Sequence, residues 1–238
     1  MNNLELNKIY CESNLETMAK MPDNFVDLVV TSPPYNTGGK SFEVGRFYKE
    51  YNDNLKNEEY KEFIFNNVKE LIRVSKHYVC YNFQILSNNK RIYLEFMNEF
   101  KDNIKDIAIW KKHAVSQIQK GKLATGFEFI VILGKDSKMY FEYNNFPGNN
   151  YVPNIQTWFK KESIKGHGAT MPFDMARYFI EYFSKENDLI YDPFMGTGTT
   201  AIASVMQKRK FIGSEITKEY VDLANKRLEP YFNQQTLF

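Results

Sequence analysis

Short apolar runs alternate with stretches of helical period along most of the chain, and that alternation limits the fold more than any other feature. VDLVVT (26–31) and LIYDPF (189–194) are apolar runs bounded by turn signals, the pattern of buried strands. NKIYC (7–11), HYVCYNF (77–83), DIAIW (106–110), EFIVILG (128–134) and KFIGSEI (210–216) read the same way, with 106–110 and 128–134 expected to pair at the sheet edge. Helical spacing is expected over 58–75, 92–100, 171–184, 201–208 and 218–232, and Leu15, Met18 and Met21 suit one face of a short helix. Thr170 is expected to cap the 171–184 helix, with Pro172 in its first turn. Strands alternating with helices imply an α/β fold with a mostly parallel sheet covered on both faces. Ligands in such sheets sit beyond the carboxyl ends of the strands.

Two motifs fall at such ends. In DPFMGTGTT (192–200), Gly196 and Gly198 lie between a strand and a helix, where small residues let backbone N–H groups approach a ligand. Glu215 ends the next strand and offers a carboxylate to both hydroxyls of a ribose. GTGTTA (196–201) also fits a dinucleotide fingerprint, so a nicotinamide cofactor competes, whereas a phosphate-binding P-loop lacks its Gly-Lys-Ser/Thr. TSPPYN (31–36) discriminates. Two prolines restrict the backbone and carry no N–H, which leaves nearby carbonyls as acceptors. A flat amine-bearing ring stacked on Tyr35 can donate N–H bonds to the Ser32 hydroxyl and the Pro33 carbonyl.

Composition narrows the classes. A chain of 238 residues with 43% hydrophobic content can build one core, and no apolar run is long enough to span a bilayer. No secretion signal is visible at the N-terminus, so a soluble cytoplasmic protein with no membrane role is expected. Two cysteines and three scattered histidines argue against a disulfide framework and a metal cluster. Net charge is only +2, but Lys111, Lys112, Lys120 and Lys122 crowd one segment, and Lys160, Lys161 and Lys165 another. Residues 136–168, rich in Asn, Gly, Pro and aromatics without a clean period, suggest a loop-built insert.

Together these segments resemble the amino-methyltransferases of DNA, whose catalytic motif reads D/N/S-P-P-Y/F and which use S-adenosylmethionine. TSPPYN precedes DPFMGTGTT here, the order of the permuted class called beta. IYCESNLETMAKMPDNFVDLVVTSPPYN, IAIWKK, FEFIVILGK, HGATMPFDMARYFIEYF and RKFIGSEITKEYVDLANKRL also resemble that family, so the likeness covers nearly the whole chain outside 37–57 and 136–165.

The resemblance implies a single Rossmann-like methyltransferase domain over 1–238, with 136–165 as a small target-recognition insert. Ser32, Pro33, Pro34 and Tyr35 become the catalytic residues. Asp192, Phe194, Gly196, Gly198 and Thr199 are placed near the cofactor, Glu215 at its ribose and Glu12 near its adenine. The implied substrate is the exocyclic amine of a base flipped from double-stranded DNA. Ser-Pro-Pro-Tyr, together with the lysine-free HGATMPF, points to cytosine N4, with adenine N6 as the alternative. The four lysines at 111, 112, 120 and 122 become expected phosphate contacts, and Asn149, Asn150, Asn154 and Gln156 expected readers of base edges. The chain carries no sign of a nuclease, so any restriction endonuclease partner is a separate protein. A small recognition region implies a monomer on a short target or a homodimer.

Overall fold

The computed structural model describes residues 4–36, 54–86, 89–116, 121, 123, 125–135, 152–159 and 170–235. Eight strands form one sheet in the order β1-β8-β7-β2-β3-β5-β4-β6. They are β1 (Lys8–Tyr10), β2 (Val26–Thr31), β3 (Ser75–Phe83), β4 (Ile104–Ser116), β5 (Thr125–Gly134), β6 (Ile155–Gln156), β7 (Leu189–Asp192) and β8 (Lys210–Ser214). β3–β5 and β5–β4 pair antiparallel, and the other neighbours pair parallel. The expected edge pair, β4 and β5, therefore sits one strand inside the edge. The two-residue β6 lies outside it, its neighbour Asn154 accepting the Ile109 N–H at 2.7 Å.

The helices are α1 (Asn14–Ala19), α2 (Asn57–Val74), α3 (Lys90–Glu99), α4 (Phe173–Phe183), α5 (Thr199–Met206) and α6 (Lys218–Gln235). Alternation along the strands divides the core. Val29, Val79, Tyr81 and Tyr191 face α1, α2 and α3, whereas Leu28, Val30, Cys80 and Ile190 face α4. α5 and α6 close the second layer over Ile9 and Phe211.

Two helix expectations change. In α1 the buried positions are Asn14, Thr17 and Met18, while Leu15 is 41% exposed. The cause is the cap: Ser13 accepts the Leu15 N–H and Glu16 reaches back to the Ser13 N–H, which turns Leu15 outward. Pro172, not Thr170, occupies the N-cap of α4, its carbonyl accepting the Met175 and Ala176 N–H groups at 3.1 and 3.2 Å.

Candidate active site

β2 and β7 lie side by side and parallel, so TSPPYN and DPFMGTGTT emerge from the same end of the sheet. A direct bond joins them: the Thr31 hydroxyl donates to Asp192 Oδ1 at 2.8 Å across 161 residues of chain. Beyond the strand ends lies a cavity of about 420 Å³, within the roughly 300–1,000 Å³ usual for small-ligand sites. Ser32 and Pro34 line it from one motif, Asp192, Phe194, Gly196 and Thr199 from the other, and Glu215 from β8's end.

The glycine-rich side is built from backbone and short polar side chains. Glu215 accepts the Gly196 N–H on one oxygen and the Thr217 N–H on the other, both at 2.9 Å, which holds the carboxylate at the cavity wall. Asp192 is buried and accepts from Thr31, from the Thr200 hydroxyl at 2.6 Å and from the Phe194 N–H at 3.0 Å. Burial pushes its carboxyl up to about 6, and those three hydrogen bonds keep the shift from being larger. Gly196 has φ +52° and lines the cavity. Gly198 does not line it. With φ +86° it starts α5, and a Cβ there would come within 2.9 Å of Ala224 Cβ, so its need for glycine is turn geometry and helix packing.

Glu12, expected near the adenine, is held by other partners. Glu12 is absent from the cavity lining, and its carboxylate accepts from Thr17 at 2.8 Å and from Lys20 at 2.6 Å. Burial alone would raise its carboxyl; the bonds from Lys20 and Thr17 outweigh that and hold it below the usual range. Ser13 and Asn14 line the cavity instead. Phe63 of α2 does so too, its ring 5.9 Å from that of Phe194.

The Pro-Pro side is a network of side chains. Ser32 Oγ lies 2.7 Å from the Tyr35 hydroxyl, which donates to Glu128 Oε2 at 3.0 Å. Asn82 Nδ2 donates to Tyr35 at 2.6 Å, to Glu128 at 2.8 Å and to Ser32 at 3.2 Å. Lys112 closes the chain with an ion pair to Glu128 Oε1 at 2.6 Å, its ammonium 5.4 Å from the centre of the Trp110 ring. Strand register explains the meeting. Asn82 pairs with Ile130 and Trp110 with Glu128, so positions two apart place Asn82, Glu128 and Lys112 on one face. The Tyr60 hydroxyl uses the Pro34 carbonyl at 3.0 Å and anchors the turn to α2.

This network gives Lys112 a partner other than the expected phosphate. Its side chain is 15% exposed and paired with Glu128, whereas Lys111 on the opposite strand face is exposed. Lys120, Lys122, Asn149, Asn150, Lys160, Lys161 and Lys165 lie outside the described residues. Asn154 and Gln156 are engaged at the sheet edge, donating to the Ile107 and Pro153 carbonyls at 3.3 and 2.9 Å. Tyr35 and Pro33 do not line the cavity; Ser32 alone of the hydroxyl-bearing pair touches both cavity and network. Asn82 and Glu128 were not singled out from sequence, although each is a polar residue inside an otherwise apolar strand run.

Comparison with known proteins agrees with this architecture. The chain is 25% identical to the type II methyltransferase M.HpaI of Haemophilus parainfluenzae, over 95% of this chain and 75% of that protein. It is 27% identical to the orphan methyltransferase M.BamHII of Bacillus amyloliquefaciens, covering 88% and 91%, and 24% identical to the DNA adenine methyltransferase YhdJ of Escherichia coli, covering 90% and 80%. The cytosine-N4-specific PvuII DNA methyltransferase shares the fold with a TM-score of 0.70 at 18% identity, covering 95% and 91%. A DNA modification methylase of Thermus thermophilus in complex with S-adenosyl-L-methionine gives 0.67 at 21%, covering 94% and 93%. The DNA methylase family model matches residues 26–226. The nicotinamide alternative ends there: the chain belongs to the N6/N4 DNA methylase family.

Proposed function

We propose that the chain transfers a methyl group from S-adenosylmethionine to the exocyclic amine of a base flipped out of double-stranded DNA, with cytosine N4 as the acceptor. The observation that carries the reading is the placement of Ser32, which lines the cavity beside Asp192 while its hydroxyl joins the Tyr35 network. S-adenosylmethionine supplies an already activated methyl on a sulfonium. The cavity suits it. Glu215 offers lone pairs to ribose hydroxyls, the Gly196 turn admits close approach, and Phe63 with Phe194 forms an apolar wall.

The rest of the work is positioning. Ser32 accepts an N–H bond from the base amine and directs the nitrogen lone pair toward the cavity. The Tyr35 ring replaces part of the stacking lost on flipping, about 1–3 kcal/mol per base–aromatic contact. The methylated amine then gives its extra proton to solvent, so no strong base is required. Lys111 contributes a phosphate contact, and residues 136–165, within the single domain, read the target.

Cytosine is favoured by Ser32 in the place where an aspartate accompanies adenine chemistry in the resembling family. Adenine N6 is the second reading, favoured by the similarity to an adenine methyltransferase. The test is to methylate DNA with labelled cofactor, digest it to nucleosides and separate them by mass. Label in N4-methylcytosine is expected; label only in N6-methyladenine overturns the cytosine assignment and leaves the transfer chemistry standing.

A further inference from the structure

Hydrogen-bond capacity gives the Ser32 network a direction. A carboxylate can only accept and an ammonium can only donate. Glu128, paired with Lys112 on one oxygen, therefore receives the single Tyr35 proton on the other. Tyr35 then has no proton for Ser32, so the 2.7 Å contact between them must use the Ser32 proton. Asn82 is oriented by the same logic, because its NH₂ must face Glu128 and its carbonyl cannot. Its two amide protons go to the short contacts with Tyr35 and Glu128, and the 3.2 Å contact to Ser32 is at most shared. Ser32 is left with lone-pair capacity and no proton to offer outward. Asn82 Oδ1 is a leftover acceptor, buried without a hydrogen-bond partner among the described residues.

We infer that Glu128, set by Lys112 and relayed through Tyr35 and Asn82, is a positioning residue that makes Ser32 an obligate acceptor toward the substrate amine. The inference rests on the methyltransferase reading of the site and adds the residue that sets its polarity. With a donor at position 128 the chain reverses: Tyr35 would accept there and donate to Ser32, and Ser32 would turn its own proton on the amine. Nothing in this arrangement requires Glu128 to touch substrate or cofactor. Glu128 is only 3% exposed and does not line the cavity, so its effect on the reaction passes through Ser32.

The experiment is a single-turnover methyl-transfer measurement on the full chain with Glu128→Gln, Ser32→Ala and the double variant, alongside calorimetry with S-adenosylmethionine. Glu128→Gln is expected to slow transfer about tenfold or more, the rate equivalent of one hydrogen bond to a charged group. Cofactor affinity should stay within about twofold, and in the Ser32→Ala background the Gln substitution should change the rate by less than about twofold. A role confined to stability would instead give independent, multiplicative losses. Tyr35→Phe breaks the same relay while keeping the ring, and it carries the test if Glu128→Gln does not fold: it too must slow transfer and lose its effect beside Ser32→Ala. Multiplicative losses, or wild-type rates in Glu128→Gln or Tyr35→Phe, overturn the inference alone. Absence of methyl transfer to DNA by the wild-type protein overturns the underlying reading and the inference with it.

Discussion

The two sides of the cavity are built from different materials. On the glycine-rich side, carboxylates are held by backbone N–H groups and neutral hydroxyls, and every partner but Thr31 lies within 19 residues of Asp192 or Glu215. On the Pro-Pro side, a carboxylate is held by a lysine, and the residues come from β2's end, β3, β4 and β5. The contrast suits the two substrates. A cationic sulfonium is served by carboxylates held in place by N–H and hydroxyl dipoles. A neutral amine is better served by oriented lone pairs whose charge is cancelled one layer back.

The largest expected effect tests the ion pair. Lys112→Ala leaves the Glu128 carboxylate buried without its ammonium, a loss of about 3–5 kcal/mol. Chemical denaturation should show that loss in full; a change below about 1 kcal/mol would mean the pair is as weak as a surface one.

Asp192 sharpens the opposite side through pH. Its folded carboxyl titrates near 6 against an ordinary 3.8, so the folded protein holds the extra proton across that window. Stability contributed by the protonated form is present at the acid end and falls as pH rises toward 6, by about 3 kcal/mol in all. Asp192→Asn should flatten that slope in denaturant midpoints measured from pH 4 to 7. An unchanged slope would assign it to other groups.

Glu215→Ala comes next, with cofactor binding weakened by about 1.5–3 kcal/mol, or tenfold and more. Calorimetry on the folded variant at wild-type affinity would remove Glu215 from the ribose. Lys111→Ala is the smallest. Its melting should stay within about 0.5 kcal/mol of wild type, while the slope of log DNA affinity against log salt drops by about 0.9. An unchanged slope returns Lys111 to the solvated surface and leaves Lys112 as the functional member of the pair.

Legibility followed the same division. β2 runs over Val26–Thr31, as the apolar run VDLVVT indicates, and Asp192, Phe194, Gly196, Thr199 and Glu215 meet at one cavity. Those features are local: a strand end, a turn and the next strand end. The Pro-Pro side was only half readable, because Ser32 and Tyr35 sit in one short motif but Asn82 and Glu128 join Tyr35 from 47 and 93 residues away. A lone polar residue in an apolar run has the look of a solvent-facing position, and only the register of β3, β4 and β5 buries it. Lys111 and Lys112 are indistinguishable as letters; the pleat of β4 sends them to opposite faces. Gly198 and Glu12 lie outside the cavity lining for a shorter-range reason, since a one- or two-residue shift around a turn decides which group faces the cavity.

The bond from Thr31 to Asp192 has a consequence for how such a protein can change over generations. It fastens the two working motifs across neighbouring strands, so with the β2–β7 pairing it sets their spacing whatever the length of the loops between the strands. Inheritance can lengthen, exchange or rewrite the loops between the strands, or open the chain at a new pair of ends, and the joint stays in register so long as β3, β4 and β5 keep Asn82, Lys112 and Glu128 in place. If residues 136–165 read the target, as proposed, new target sequences become accessible by altering those residues alone. Selection can retune what is read without reopening the question of how the methyl is moved.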